Sequence, residues 1–377
     1  MHQSVVALLT GNSSARLGYR APMTSGTHIV HGLTRSYFTR KVIGYLDFTD
    51  RPWRLEPGTP THHPAATAAG WTGGIPVLTD PTGELMWDST TIIEHLDHSA
   101  DSNRRVLPDD PTLRFLAYLL DDFSDEWFYR PAVGSRWLVE ANALTGGWQL
   151  AEELSAALGF PGGLVRTNVV ETMTASTPRL GVTAENIDAW MGEVVAPWFT
   201  ALQAHLGEGY LLGGRPCLAD FAMFGANAAH FVGDPQCRDL VDVHGPAAVA
   251  HTHRLLQPHR QTFGDWIEPG DVPDSLVAVI AEAGRHYLPW VAEATVRGSA
   301  VVEFTDGSAD IASSAFLDAA RGILLARYVE ARSPDVDDIL DRAGVLGYFA
   351  NHVGQATEVP DPSAAPRPTQ NRPYAID

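Results

Sequence analysis

Residues 74–93 read GIPVLTDPTGELMWDSTTII. Ile75-Pro76-Val77-Leu78-Thr79 is a short apolar run opened by a proline, the pattern of a strand whose first residue need not donate to a ladder. Pro81-Thr82-Gly83 is a turn signal. Glu84 to Trp87 is a second apolar run, so the two read as a hairpin. Asp88 then stands just before a helical pattern that places Ile92, Ile93 and Leu96 on one side. An aspartate there is a good N-cap, because its carboxylate accepts a backbone N–H that the first helical turn leaves unpaired.

The reading extends in both directions. Upstream, His28 to Leu33 is strand-like, and Tyr37, Phe38, Val42, Tyr45 and Leu46 are spaced for one helix face. Trp53-Arg54-Leu55 reads as another strand, followed by a Pro/Gly/His/Ala loop through Gly74. Residues 28–100 are thus β-α-β-(loop)-β-β-α, a small α/β unit, preceded by an irregular arm at 1–27. A linker at 101–110 leads to a chain that is helical in period almost throughout 111–354. Asp110-Pro111 gives an N-cap with proline at the first helical position. Leu113, Leu116, Leu120, Phe123 and Trp127 follow on that helix, and a later one, about 187–206, has Pro197 as an expected kink. Further helices are expected near 274–294, 313–331 and 334–350. Asp306-Gly307 between Val301–Phe304 and Ala309–Ile311 signals a hairpin, and 355–377 reads as an irregular tail.

The composition narrows the function. The 377 residues carry 26 basic and 45 acidic side chains, a net charge of −19. Such a surface repels phosphate backbones, so neither nucleic acid nor an anionic membrane is an expected partner. No run approaches the ~18 apolar residues a membrane span needs. The first residues lack the basic start of a secretory signal, so the expected compartment is the cytoplasm. Cys217 and Cys237 are the two cysteines, too few for a disulfide framework. Lys41 is the single lysine among the basic residues. It is expected to be a solvated helix residue, or to pair with an acid such as Asp47.

Four segments occur in a telling order: Ser36-Tyr37-Phe38-Thr39 at a helix start, Ile75-Pro76 before a strand, Asp88-Ser89 at the next helix start, and Cys217-x-x-Asp220 downstream. Together they resemble the glutathione S-transferase superfamily, and Asp125 to Pro131 (DEWFYRP) with Arg136-Trp137 is similar to its longer bacterial branch. The resemblance covers 28–100 and the middle of the helical region, 110–232. It implies a thioredoxin-like N-terminal domain, an all-α C-terminal domain and, here, an extra C-terminal extension. It implies that Ser36 is a catalytic hydrogen-bond donor to a thiol sulfur, that Pro76 is cis and presents the Ile75 backbone to the thiol peptide, and that Asp88 and Ser89 hold its γ-glutamyl end. Physically, a free thiol has a pKa of about 8.5, and a donor at a helix N-terminus favours its thiolate. A helix N-terminus also suits a carboxylate.

By the same resemblance the second substrate lies against the first long helix of the helical region, where Tyr37, Trp127, Arg130, Arg136 and Trp137 are candidate pocket residues. Cys217 replaces the usual hydroxyl of a capping box with Asp220, a cap expected to be weaker by roughly 1 kcal/mol. Neither Ser36 nor Thr39 is a cysteine, which argues against dithiol redox catalysis. His251, His253 and His259 have no recognisable metal-ligand spacing with an acid or cysteine, so no metal is expected. The expected function is a transferase that adds glutathione, or another low-molecular-weight thiol, to an apolar small-molecule electrophile, working as a homodimer. The alternatives are a non-catalytic ligand-binding or interaction protein of this fold, and a thiol-dependent isomerase or lyase of a specialised pathway.

Overall fold

The computed structural model describes residues 26–58, 74–207 and 209–359. Most of the arm, the central part of the histidine-rich loop and most of the tail lie outside the described residues. Strand β1 (His28–Gly32) pairs in parallel with β2 (Trp53–Pro57), and the helix between them, α1 (Tyr37–Phe48), is the crossover that a parallel pair requires. β3 (Val77–Thr79) runs antiparallel to β1 and forms a hairpin with β4 (Leu85–Trp87), giving the sheet order β2-β1-β3-β4. The turn is fixed by Asp80, whose Oδ1 accepts from the N–H groups of Thr82 and Glu84 at 2.8 Å each. Gly83, at φ 93°, takes the left-handed conformation that closes it. Helix α2 (Ser89–His98) follows with Asp88 as its N-cap. The N-terminal domain is therefore thioredoxin-like, and the Ile75-Pro76 bond is cis, as expected.

The rest is mostly helical. α3 (Pro111–Phe123) passes through a π-helical turn at Ser124–Phe128 into α4 (Tyr129–Leu138). α5 (Glu140–Leu158) and α6 (Gly162–Ser176) form an antiparallel pair that the sequence reading left unassigned within the helical region. Pro197 sits in the first turn of α7 (Ala196–Leu206), immediately after a second π-helical turn at Trp190–Val195, so the irregularity precedes the proline. α8 (Leu218–Ala226) crosses α1 so closely that a methyl group on Gly225 would lie 2.7 Å from the Tyr37 carbonyl oxygen. A methyl on Gly44 would meet the Phe224 ring at 2.5 Å. These two glycines set how tightly the domains join.

The extension is an integral part of the core. Helices α9 (Asp274–Arg285) and α10 (Tyr287–Arg297) replace the single helix expected at 274–294. The hairpin signal is realised as β5 (Ser299–Phe304) and β6 (Gly307–Ala312). α11 (Ala315–Ala331) then packs on α3, and α12 (Pro334–Arg342) and α13 (Leu346–His352) divide the helix expected at 334–350. Tyr328 and Phe349 stack around Phe115 at 5.7 and 5.4 Å between ring centres. Arg327 pairs with Glu94 of α2 while lying 3.3 Å over the Tyr118 ring. One continuous set of buried apolar side chains runs from Val30 to Phe349.

Candidate functional site

The junction of the two domains holds a cavity of about 1180 Å³. Its volume exceeds the ~300–1,000 Å³ typical of small-molecule sites, leaving room for two ligands side by side. At one end converge three separate segments: Ser36, the cis Ile75-Pro76 pair, and Asp88-Ser89. Ser36 is the N-cap of α1, in extended backbone, and its Oγ accepts from the Thr39 N–H at a long 3.5 Å. Ser36 borders the cavity and is only partly buried, and its cap contact is long and weak. Of the neighbouring hydroxyls, Tyr37 donates to the Ser124 carbonyl at 2.7 Å, while that of Thr39 is buried against Gly32 with no hydrogen-bond partner among the described residues.

Asp88 adopts φ 72°, ψ 113°, one of two non-glycine residues with positive φ among the described residues. Such backbone costs of order 1–3 kcal/mol and persists where its surroundings impose it, commonly at ligand sites. Its Oδ1 accepts the Thr91 N–H at 3.0 Å, so capping and cavity lining coexist in one residue. Ser89, 8% exposed, begins the helix beside it, with Thr90 and Thr91 completing a helix N-terminus open to the cavity.

Beneath Thr90 lies the lysine. Lys41 has no solvent exposure; its Nζ sits 2.6 Å from Asp121 Oδ1, 2.6 Å from Asp125 Oδ2 and 2.8 Å from Thr90 Oγ1. The solvated reading is thereby overturned, as is Asp47 as partner, since Asp47 accepts from Trp53 Nε1. Burial disfavours the ammonium, but the two carboxylates outweigh it and hold the lysine pKa above its ordinary value. Burial raises both aspartates, with Lys41 opposing. This network joins α1, α2 and α3 beneath the end of the cavity where Thr90 lies.

The candidate pocket residues separate into two groups. Tyr37, Arg130 and Trp137 border the cavity. Arg130 donates to the Leu180 carbonyl at 3.1 Å and lies 4.4 Å over Trp290; burial lowers its pKa to about 10. Trp127 does not reach the cavity: it is 1% exposed and packs against Trp190, Trp290 and Tyr287 at 4.8, 5.5 and 5.9 Å. The reason is that the side of the turn bearing Trp127 is covered by Trp190 and by Tyr287 and Trp290, whereas the cavity is lined from the same turn by Asp125 and Glu126. Arg136 borders the cavity but is a structural clamp. Its guanidinium makes four hydrogen bonds, to both oxygens of Asp234 and to the Arg35 and Ala229 carbonyls.

Sequence reasoning did not single out Asp122 or the role of Glu126, and it missed the cavity's outer wall. The signal was present: Asp121, Asp122, Asp125 and Glu126 recur at helical spacing inside an otherwise apolar helix. Burial raises Asp122 to about 7 although Tyr287 donates to it at 2.5 Å. The outer wall is apolar, built by Leu154, Phe160 and Leu164 of the α5–α6 pair and by Phe316, Ile323 and Leu324 of the extension. Of the histidines, His251 is buried and bonded through Nε2 to Asp220 at 2.8 Å. Asp220 Oδ2 also accepts the Cys217 N–H at 2.8 Å, the half of the capping box that needs no hydroxyl. No group of three or more potential metal ligands occurs among the described residues. No helix among them is long and apolar enough to cross a membrane.

A family model described as glutathione S-transferase, N-terminal domain, matches residues 30–104. No curated protein matches the chain. Similar solved structures include a glutathione S-transferase from Sinorhizobium meliloti, at 18% identity and TM-score 0.38, covering 61% of this chain and 87% of that one. FzlA from C. crescentus is 18% identical with TM-score 0.40, again over 61% and 87%. A glutathione S-transferase from Methylobacterium radiotolerans, in complex with glutathione sulfonate, is 17% identical with TM-score 0.33, over 64% and 100%.

Proposed function

We propose that this protein, a member of the glutathione S-transferase superfamily through its N-terminal domain, binds glutathione or a related low-molecular-weight thiol and adds it to an apolar electrophile. The observation that carries the reading is the convergence of Ser36, cis Ile75-Pro76 and Asp88-Ser89 on one end of a cavity whose outer wall is apolar. The thiol's carboxylate and ammonium sit at the α2 N-terminus, where exposed N–H groups and the Ser89 hydroxyl meet the carboxylate and Asp88 meets the ammonium. The Ile75 backbone pairs with the peptide portion, which brings the sulfur to Ser36. There the hydroxyl donates to the thiolate and lowers its pKa, while the electrophile occupies the space between Arg130, Trp137 and the apolar wall.

The test begins with calorimetry, using glutathione and mycothiol as probes. Ser36→Ala keeps the helix N–H groups but removes the donor. A hydrogen bond to a charged group is worth about 1.5–3 kcal/mol, so the bound thiol pKa rises by about 1–2 units. Turnover at neutral pH falls by roughly 10- to 100-fold, with thiol binding at low pH nearly unchanged. Ser89→Ala does the reverse, weakening binding with little effect on the pKa. Unchanged thiolate absorbance and turnover in Ser36→Ala would remove Ser36 from the mechanism. Tight thiol binding without turnover of any electrophile would make the protein a ligand-binding member of the fold.

A further inference from the structure

We propose that Glu126 is the proton donor to the electrophile, so that the substrates this site favours are those whose carbon–oxygen bond opens or whose oxygen becomes charged as sulfur adds, epoxides first among them. The inference rests on the thiol-transfer reading above and assigns a second catalytic group to it. Glu126 lies in the π-helical turn Ser124–Phe128 that interrupts α3 and α4. Such turns insert one extra residue into a helix and re-aim the side chains around them, often at functional sites. This one is fastened to the thiol end of the cavity. Tyr37, the residue after Ser36, donates to the carbonyl of Ser124, and the Tyr37 ring packs edge-on against Tyr129 at 6.3 Å. Glu126 therefore projects into the cavity from the turn that the thiol-activating helix itself holds in place.

Three further observations fit a donor. Glu126 is half-buried and borders the cavity, yet no hydrogen bond or salt bridge to it occurs among the described residues. Its natural partner, Arg130 four residues on, is turned away toward the Leu180 carbonyl and the Trp290 ring. Beside it, Asp125 is 7% exposed, has its Oδ2 held by Lys41, and leaves Oδ1 buried with no partner at the cavity edge. The polar wall thus presents carboxyl groups whose hydrogen-bonding capacity is not taken up among the described residues. The groups facing Glu126 are Asp122, Asp125 and Arg130 from its own helix run, Asp88 from the α2 terminus, Tyr37 from α1 and Tyr287 from α10. Burial, then Asp122 and Asp125, push its carboxyl well above the usual range, against the pull of Arg130. A carboxylic acid that keeps its proton near neutral pH is what general acid catalysis requires.

The step balances as follows. The thiolate sulfur attacks one epoxide carbon, forming the S–C bond. The C–O bond at that carbon breaks, its electron pair passing to oxygen. The Glu126 proton moves to that oxygen, giving a hydroxy thioether and the Glu126 carboxylate. The carboxylate recovers a proton from solvent, equivalent to the one lost when the thiol ionised. Displacement of chloride from an aryl halide needs no such proton, because chloride leaves as an anion.

That difference is the experiment. Thiol transfer is measured with styrene oxide and with chlorodinitrobenzene for wild type, Glu126→Gln and Glu126→Asp. General acid catalysis contributes typically 10²–10⁴-fold, so Glu126→Gln should lower kcat on styrene oxide by about that factor. Its rate on chlorodinitrobenzene should stay within about twofold, and Glu126→Asp should restore part of the epoxide activity. Equal losses on both substrates, or no loss on either, would overturn the assignment. If the wild type binds thiol but turns over neither substrate, the transferase reading itself fails and this one with it. A readout independent of turnover is the infrared carbonyl stretch of a protonated carboxylic acid at neutral pH, taken as wild type minus Glu126→Gln. Its presence supports the donor, and a carboxylate signature in its place overturns it even if both variants are active.

Discussion

Replacing Lys41 with methionine should expose how much the buried charge network contributes. The substitution keeps the stem's volume and deletes the ammonium, leaving Asp121 and Asp125 facing each other with Thr90 between them. Removing one partner of a buried pair costs about 3–5 kcal/mol, because the remaining charge is neither solvated nor compensated. A buried carboxylate without its cation takes up a proton, so its folded pKa rises further above the unfolded value of about 3.9. Between those two pKa values the folded state holds one proton more than the unfolded state. Stability then falls as pH rises, by about 1.4 kcal/mol per unit for one proton. An aspartate that Lys41 keeps ionised in wild type and that takes up a proton in the variant changes the stability difference by about 1.4 kcal/mol per pH unit, so the deficit should shrink between pH 7 and pH 5 by at most about 2.7 kcal/mol, and by less to the extent that burial already raises that aspartate in wild type. Lys41 also lowers Asp122, so loss of the ammonium raises Asp122 in the same direction and adds to the effect. Urea unfolding of both proteins at pH 5, 6 and 7 measures this directly. A deficit under about 1 kcal/mol, or one that does not shrink on acidification, would refute the reasoning.

Gly225→Ala should destabilise by about 1–3 kcal/mol through overpacking, since its methyl would meet the Tyr37 backbone; thermal unfolding checks this, and an unchanged midpoint would mean the α1–α8 crossing is loose. Cys217 and Cys237 are both buried, and burial raises both thiols, Cys237 to about 12. A chromogenic disulfide reagent should find no fast thiol in the native protein and two after denaturation. Cys217→Ser should stabilise by up to about 1 kcal/mol by supplying the hydroxyl of the capping box, and an unfolding midpoint below wild type would show that burying the hydroxyl costs more than the cap returns. A homodimer is the expected assembly, and light scattering that returns the mass of a single chain would refute it.

What the sequence determined by itself was the chemistry of short segments. Asp88 before Ser89-Thr90, Pro76 before a strand, and Asp80-Pro-Thr-Gly83 in a hairpin act within a few residues of themselves. The caps, the turn and the order of strands and helices in 28–100 were legible because each depends on local backbone geometry. Ser36 at the head of α1 belongs to the same class. The tertiary structure alone decided where charges and aromatics went. Lys41 meets Asp125 across 84 positions and Arg327 meets Glu94 across 233, pairings that only the packing of α1, α2 and α11 on α3 creates. Trp127 had the spacing of either a pocket or a core residue. It became core because the extension supplied Tyr287 and Trp290 to cover it. The same extension closes the cavity with Phe316, Ile323 and Leu324, residues that no local pattern connects to Ser36. Periodicity reports which face of a helix is apolar, and it does not report whether the other face meets solvent or, as with Asp121, Asp122, Asp125 and Glu126, a cavity.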